Sequence, residues 1–208
     1  MADQHAPLRA RRRAETQRTI QVHAVRLFAE RGYDATTMAD VAAAAGVSPM
    51  TVYRHFPTKE DLVLVDQHAR LVAERIVASS AEQPLVRRIG SALIDSAAML
   101  TGGDPESRRF LLARLRLMIS TPALRARHLD NHYALQQAIV DALDGDAADP
   151  DTAFHVQVVA SACLAALHTA LVRWAVDDGR TELSGLIAKA LAAAFGDDAV
   201  ENRAGRTV

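Results

Sequence analysis

Six side chains that donate hydrogen bonds to anions, Ser48, Thr51, Tyr53, Arg54, His55 and Lys59, fall in the short stretch SPMTVYRHFPTK. Hydroxyls of this kind suit phosphate oxygens, and Arg54 has the reach for either a guanine edge or a phosphate. His55 and Lys59, at the exit of the stretch, suit a phosphate backbone, while apolar Pro49 and Met50 suit thymine methyls. The company that catalysis requires is missing. No G-x-S-x-G elbow, G-x-G-x-x-G turn or phosphate-binding lysine loop occurs in the 208 residues. His128 and His132 have the i,i+4 spacing of two metal ligands on one helix, but Leu129 stands where a zinc-protease motif carries its Glu, and no third ligand is identifiable. The expectation is therefore no catalytic residue, no metal and no cofactor. A helical metal-dependent enzyme is the less favoured alternative.

Elements that present such a stretch follow from the punctuation around it. Period-2 alternation is nearly absent, so the chain reads as all-α, with about nine helices. A first helix over residues 14–31 places Ile20, Ala24, Leu27 and Phe28 on one face and stops at Gly32. Thr36 or Thr37 caps a second helix that ends at Ala45, Gly46 turns the chain, and Ser48 with Pro49 starts a third helix that runs to about His55. Val41, Val47, Val52 and Phe56 are expected in the core. Pro57 stops the third helix, and Thr58, with Glu60 and Asp61 behind it, is expected to cap a long fourth helix to about Ser80. Pro84 opens a fifth, and the pairs Asp104-Pro105, Thr121-Pro122 and Asp149-Pro150 start three more. Thr181 is expected to cap the ninth, with Gly196 at its end.

Two short helices joined by a glycine-containing turn form a helix-turn-helix, whose second helix is narrow enough for the major groove of DNA. Here LFAERGYDATTMADVAAAAGVSPMTVYRHFPTKEDL resembles the N-terminal pattern of the TetR family of bacterial transcriptional regulators in residue type and spacing, over residues 14–65. The resemblance implies phosphate contacts from Thr37, Ser48, Thr51, Tyr53, His55 and Lys59, and base-edge contacts nearer Pro49, Met50 and Arg54. Pro49 departs from the pattern, since many relatives carry a polar residue at that place.

Charge distribution agrees with an anionic partner for the first part. Through residue 60 there are nine Lys/Arg against six Asp/Glu, and fifteen against nineteen thereafter. Residues 1–13 read as a basic flexible arm in which Arg9, Arg11, Arg12 and Arg13 either stay solvated or touch phosphate or the minor groove. Residues 14–57 form the DNA-binding domain, 58–196 a helical effector-binding and dimerisation domain, and 197–208 a flexible tail. A hydrophobic share of 50% supports a sizeable core, and Cys163 reads as a buried small hydrophobe. The apolar runs are broken by charges or His, so no membrane span is expected, and the N-terminus lacks the apolar core of a secretory signal. The expected compartment is the cytoplasm.

One such module spans too few base pairs for useful specificity, so a homodimer on a palindromic double-stranded operator is expected. Helical spacing offers Ala162, Ala166 and Ala170 on the eighth helix and Leu183, Leu186, Ile187, Ala190, Leu191 and Ala194 on the ninth as the dimer surface. The family likeness implies an intersubunit four-helix bundle there, and a small-molecule pocket among helices five to eight. Met99, Phe110, Leu115, Met118, His132, Tyr133, His155, His168 and Trp174 are the candidate lining for a hydrophobic effector. The stretch RLRLMISTPALRARHLDNHYALQQAIVDAL also resembles the C-terminal domain of a regulator subgroup, mycofactocin-type regulators included, associated with acyl-CoA-like ligands. The combined expectation is a repressor released by its effector. A constitutive DNA-binding dimer is the alternative.

Overall fold

A computed structural model describes residues 6–64, 67–143 and 149–197. Among them every regular element is helical: α1 (Ala6–Arg31), α2 (Met38–Ala44), α3 (Pro49–His55), a 3-10 turn (Glu60–Leu62), α4 (Gln67–Ala78), α5 (Leu85–Thr101), α6 (Pro105–Ser120), α7 (Pro122–Leu143), α8 (Pro150–Val176) and α9 (Leu183–Phe195). The chain divides into two compact units, the first built from residues 1–65 with 113–127 and the second from residues 66–112 with 128–208. The expected boundary near residue 57 thus moves to 65, and residues 113–127 join the first unit. The expected tail from residue 197 lies almost wholly outside the described residues.

In the first unit, α1 buries Ile20, Ala24, Leu27 and Phe28, the stripe its spacing predicts. It starts at Ala6, so residues 6–13 are helical and not a flexible arm. The run ARRRAET contains no helix breaker, and arginine is among the better helix formers, so α1 continues through it. The expected fourth helix differs more. Leu62 and Val63 are both fully buried and Leu64 nearly so, which an α-helix cannot achieve at three successive positions because each residue turns about 100° from the last. The chain makes a 3-10 turn there instead. Gln21 fastens its exit by donating from Nε2 to the Leu64 carbonyl at 3.0 Å.

The second unit is organised around α5, α8 and α9, which pack on one another, with α4 against α5. Leu183, Ile187 and Leu191 form the buried stripe of α9 and are at most 3% exposed. Close approach of α5 requires Gly90, since a Cβ there would stand 3.1 Å from the Leu191 Cδ1. Trp174 is fully buried and donates from Nε1 to the Thr181 carbonyl at 3.0 Å. Thr181 does not cap α9. Its hydroxyl donates to Asp177 at 2.6 Å, and Glu182 occupies the N-cap position without a capping side-chain bond.

These contacts correct two expectations about the last helices. Ala166, Ala170, Leu183, Ile187 and Leu191, assigned to the dimer surface, are buried within the protomer, while Ala162, Leu186, Ala190 and Ala194 keep some exposure. Alanines that allow close helix approach serve the interior of the unit first. Secondly, α8 is long and apolar enough to cross a membrane by length and composition, with a best-window mean hydropathy of 1.6. Its burial accounts for that composition: Val156, Val159, Ala160, Cys163, Leu164, Leu167 and Trp174 are at most 6% exposed. Burial also pushes the Cys163 thiol up to about 12, which keeps it protonated and unreactive.

Ile187→Ala should cost about 2–5 kcal/mol, the usual range for emptying a fully buried aliphatic site. Urea unfolding followed through the single Trp174 measures this. A loss below the range would place Ile187 outside the packed core.

Candidate nucleic-acid interface

A seven-residue helix has little stability of its own, so α3 depends on its ends and on one anchor. Ser48 is the N-cap: its Oγ accepts from the Thr51 amide at 3.1 Å and shares a hydrogen bond with the Thr51 hydroxyl at 2.9 Å. At the other end the Phe56 amide donates to the Val52 carbonyl at 2.8 Å. Val52 is 0% exposed and Phe56 6%, so these two tie α3 to the core while its remaining surface stays outside. Val47, also expected in the core, is only half-buried.

The partner helix is fixed as firmly. Thr37 and Asp40 form a capping box, with the Thr37 amide donating to Asp40 Oδ2 at 2.8 Å and the Asp40 amide to Thr37 Oγ1 at 3.1 Å. The Thr37 hydroxyl also donates to Asp40 Oδ2 at 2.6 Å. Those bonds hold the Asp40 carboxyl below the usual carboxylate range. Between the two helices Gly46 adopts φ +67, a left-handed conformation that side-chain-bearing residues rarely take, and reverses the chain.

The exposed residues of α3 and its N-cap are those that sequence reasoning picked out. Met50 is 74% exposed and Tyr53 51%, with Ser48, Pro49 and Arg54 also exposed. Arg54 faces a cleft of about 350 Å³ lined by Arg12, Arg13 and Thr16 of α1 and by His55. His55 is half-buried, its Nδ1 buried and without a hydrogen-bond partner. Burial, and then the neighbouring Arg54 and Arg13 cations, hold its pKa below the ordinary imidazole value. Lys59 is engaged within the unit: its Nζ lies 4.3 Å from the centre of the Tyr33 ring and donates to the Asp34 carbonyl at 3.5 Å.

Two features escaped sequence reasoning. Thr16 joins the cleft, and its helical spacing from Arg12 becomes a signal only once α1 is seen to reach past residue 13. The second is the Tyr33 hydroxyl donating to Glu60 Oε1 at 2.6 Å across 27 residues, a pairing that no local pattern encodes. That bond lowers the Glu60 carboxyl, while burial and then the same bond raise the Tyr33 phenol.

Candidate effector residues are scattered. Met99, Tyr133, His155 and His168 are exposed, Trp174 is sealed in the core, and Leu115 and Met118 are buried in the first unit. Phe110 and His132 are half-buried. The rings of His128 and His168 lie 5.8 Å apart, and burial followed by His168 lowers the His132 pKa. Among the described residues no group of three ligands suits a metal ion. Arg114, next to Leu115 on α6, has its Nε buried without a hydrogen-bond partner, and burial pulls its pKa down to about 10.

A helix-turn-helix with an outward, donor-rich second helix, attached to a larger helical unit, defines a DNA-binding regulator. Residues 20–65 match the family described as "Bacterial regulatory proteins, tetR family", and residues 83–195 match the "MftR C-terminal domain". The chain belongs to the TetR family of transcriptional regulators, which are not enzymes. Members of that family bind operator DNA, act as dimers and bind small-molecule ligands.

The chain is 26% identical over 187 residues to MftR of Mycobacterium tuberculosis, a proposed mycofactocin biosynthesis regulator, covering 89% of this chain and 90% of that one. It is 31% identical over 127 residues to the transcriptional regulator TcmR of Streptomyces glaucescens, covering 59% of this chain and 56% of TcmR. Its fold matches that of Thermus thermophilus FadR, a TetR-family repressor solved with lauroyl-CoA, with a TM-score of 0.55 or less: 0.53 at 21% identity, covering 92% of this chain and 100% of the other.

Tyr33→Phe keeps a ring beneath Lys59 and removes only the bond to Glu60. Because the Glu60 carboxyl is lowered in the folded state, its stabilisation is present above the unfolded value near 4.3–4.5 and is lost as pH falls through the folded value. Wild type should therefore exceed the variant by about 1 kcal/mol at neutral pH, with the gap closing in acid. Thermal unfolding of both proteins across that range is the check, and a gap independent of pH would refute the coupling.

Proposed function

We propose that this regulator represses transcription by holding a palindromic operator as a homodimer, and that a small hydrophobic effector releases it. The observation that carries the reading is the arrangement of α3, with Val52 buried while Met50, Tyr53 and Arg54 face outward. Ser48, Thr51, Tyr53 and His55 are assigned to phosphates, with Thr37 and Lys59 in support, and Pro49 and Met50 to base edges. The cytoplasm is the matching compartment.

Dimerisation is assigned to the outward faces of the last two helices. On α8, Phe154 is 67% and Val158 48% exposed, four residues apart, and Ala162 continues the same stripe. Leu186, Ala190 and Ala194 supply the corresponding spacing on α9. Such a row of exposed large apolar groups on an otherwise packed helix fits an interface between copies.

The effector is assigned a long apolar body and an anionic group. Three things support this class: the match to the MftR C-terminal domain, the lauroyl-CoA bound by Thermus thermophilus FadR, and the unpaired buried guanidinium of Arg114. A buried cation without a partner is costly, and an anionic ligand would offset that cost. Binding to a conformer whose two recognition helices are wrongly spaced would weaken operator affinity by that ligand's preference for it, typically ~1–3 kcal/mol.

Duplexes selected from a random pool by the wild-type chain should carry a two-fold repeat with half-sites about one helical turn apart. Val158→Glu should yield a monomer, by light scattering, with most of that affinity lost. A panel of acyl-CoA thioesters and the matching fatty acids should then include a ligand that lowers affinity about 5–150-fold. If none does, the constitutive dimer stands in its place; recovery of no duplex at all would remove the DNA-binding assignments altogether.

A further inference from the structure

The cleft between α1 and the last turn of α3 has no role in reading bases, and its composition is one-sided. Arg12 and Arg13 enter it from α1 with Thr16 one turn further on, and Arg54 and His55 close it from α3. Among the described residues no carboxylate pairs with Arg12, Arg13 or Arg54. Three unneutralised guanidinium groups around one opening repel one another, and such an arrangement is relieved by an anion. The cleft holds about 350 Å³, ample for a phosphate group, and the buried Nδ1 of His55 lacks a hydrogen-bond partner in the protein.

We propose that this cleft is a seat for a backbone phosphodiester of duplex DNA, gripped by Arg12, Arg13 and Arg54 with His55 Nδ1 as a further donor. The proposal rests on the DNA-binding reading of α3 and extends it to a second element, α1. It also decides between two roles for Arg54. An arginine committed to this cleft contributes affinity at every sequence and does not select a base.

Proton uptake follows from the same geometry. Arg54 and Arg13 are the charged groups identified as acting on His55, with Arg12 on the rim of the cleft and the Phe56 ring 6.3 Å from the imidazole. Burial and these cations keep His55 neutral at pH 7. A phosphate set among them reverses the sign of the local field and favours the imidazolium, so binding takes up a proton.

The test uses a duplex selected from a random pool by the wild-type full-length chain, with fluorescence anisotropy as the readout. Arg12→Gln with Arg13→Gln should weaken binding about tenfold or more at 0.1 M salt and flatten the log affinity against log salt slope by about 0.9 for each phosphate released, roughly two per dimer. All sequences should be affected alike, and the melting temperature of the free protein should not fall. Wild-type affinity should rise as pH is lowered from about 7.5 to 6, and His55→Gln should abolish that rise. Unchanged affinity and slope in the double variant, with the wild type binding normally, would overturn the cleft and leave the recognition helix intact. Failure of the wild type to select any duplex would overturn both. An inorganic phosphate titration, followed by the His55 NMR signal, separates the remaining source: saturation at millimolar phosphate with no shift on adding duplex would make this a free-anion site and overturn the duplex assignment.

Discussion

Everything the first unit presents to its surroundings depends on the burial of one side chain. Val52 is the buried residue of α3, and a helix of seven residues is too short to persist in water without such an anchor. With Val52 and Phe56 inserted, the orientation of α3 is set, and Pro49, Met50, Tyr53 and Arg54 must face away from the core. Capping completes the arrangement. Ser48 and Thr37 each satisfy an amide at the start of their helix, so neither helix needs more length to be stable.

The same economy explains why the interface draws on residues far apart in sequence. The Tyr33 hydroxyl reaches Glu60, the Lys59 ammonium lies over the Tyr33 ring, and Gln21 holds the Leu64 carbonyl. These contacts fasten the segment leaving α3 to the chain around α1. A polar network of this kind adds little hydrophobic burial, but it fixes where the ends of α3 lie and therefore which side chains share the cleft with Arg12 and Arg13.

In the second unit the constraint is volume. Small residues along α8 and Gly90 on α5 allow helices to meet closely, and the α9 stripe fills the space between them. Residues that look suited to a subunit interface by type alone are used first to close the protomer. What is left outside, Phe154 and Val158 above all, is a different face of the same helix. Apolar composition announces that a helix is packed against something; it does not say against what.

Local chemistry was legible in the chain itself. Helix-turn-helix spacing, the caps Thr37 and Ser48, the reversal at Gly46 and the outward donors of α3 all depend on neighbours within a few residues, so their types and order suffice. The break after Leu62, the sealing of Ile187 and Leu191, the Tyr33 to Glu60 bond and the meeting of Thr16 with His55 depend on which distant surfaces come together. Sequence alone determined that a short donor-rich helix would be built and capped. Tertiary structure decided which of its donors stand free, because only packing settles whether a side chain faces water or another helix.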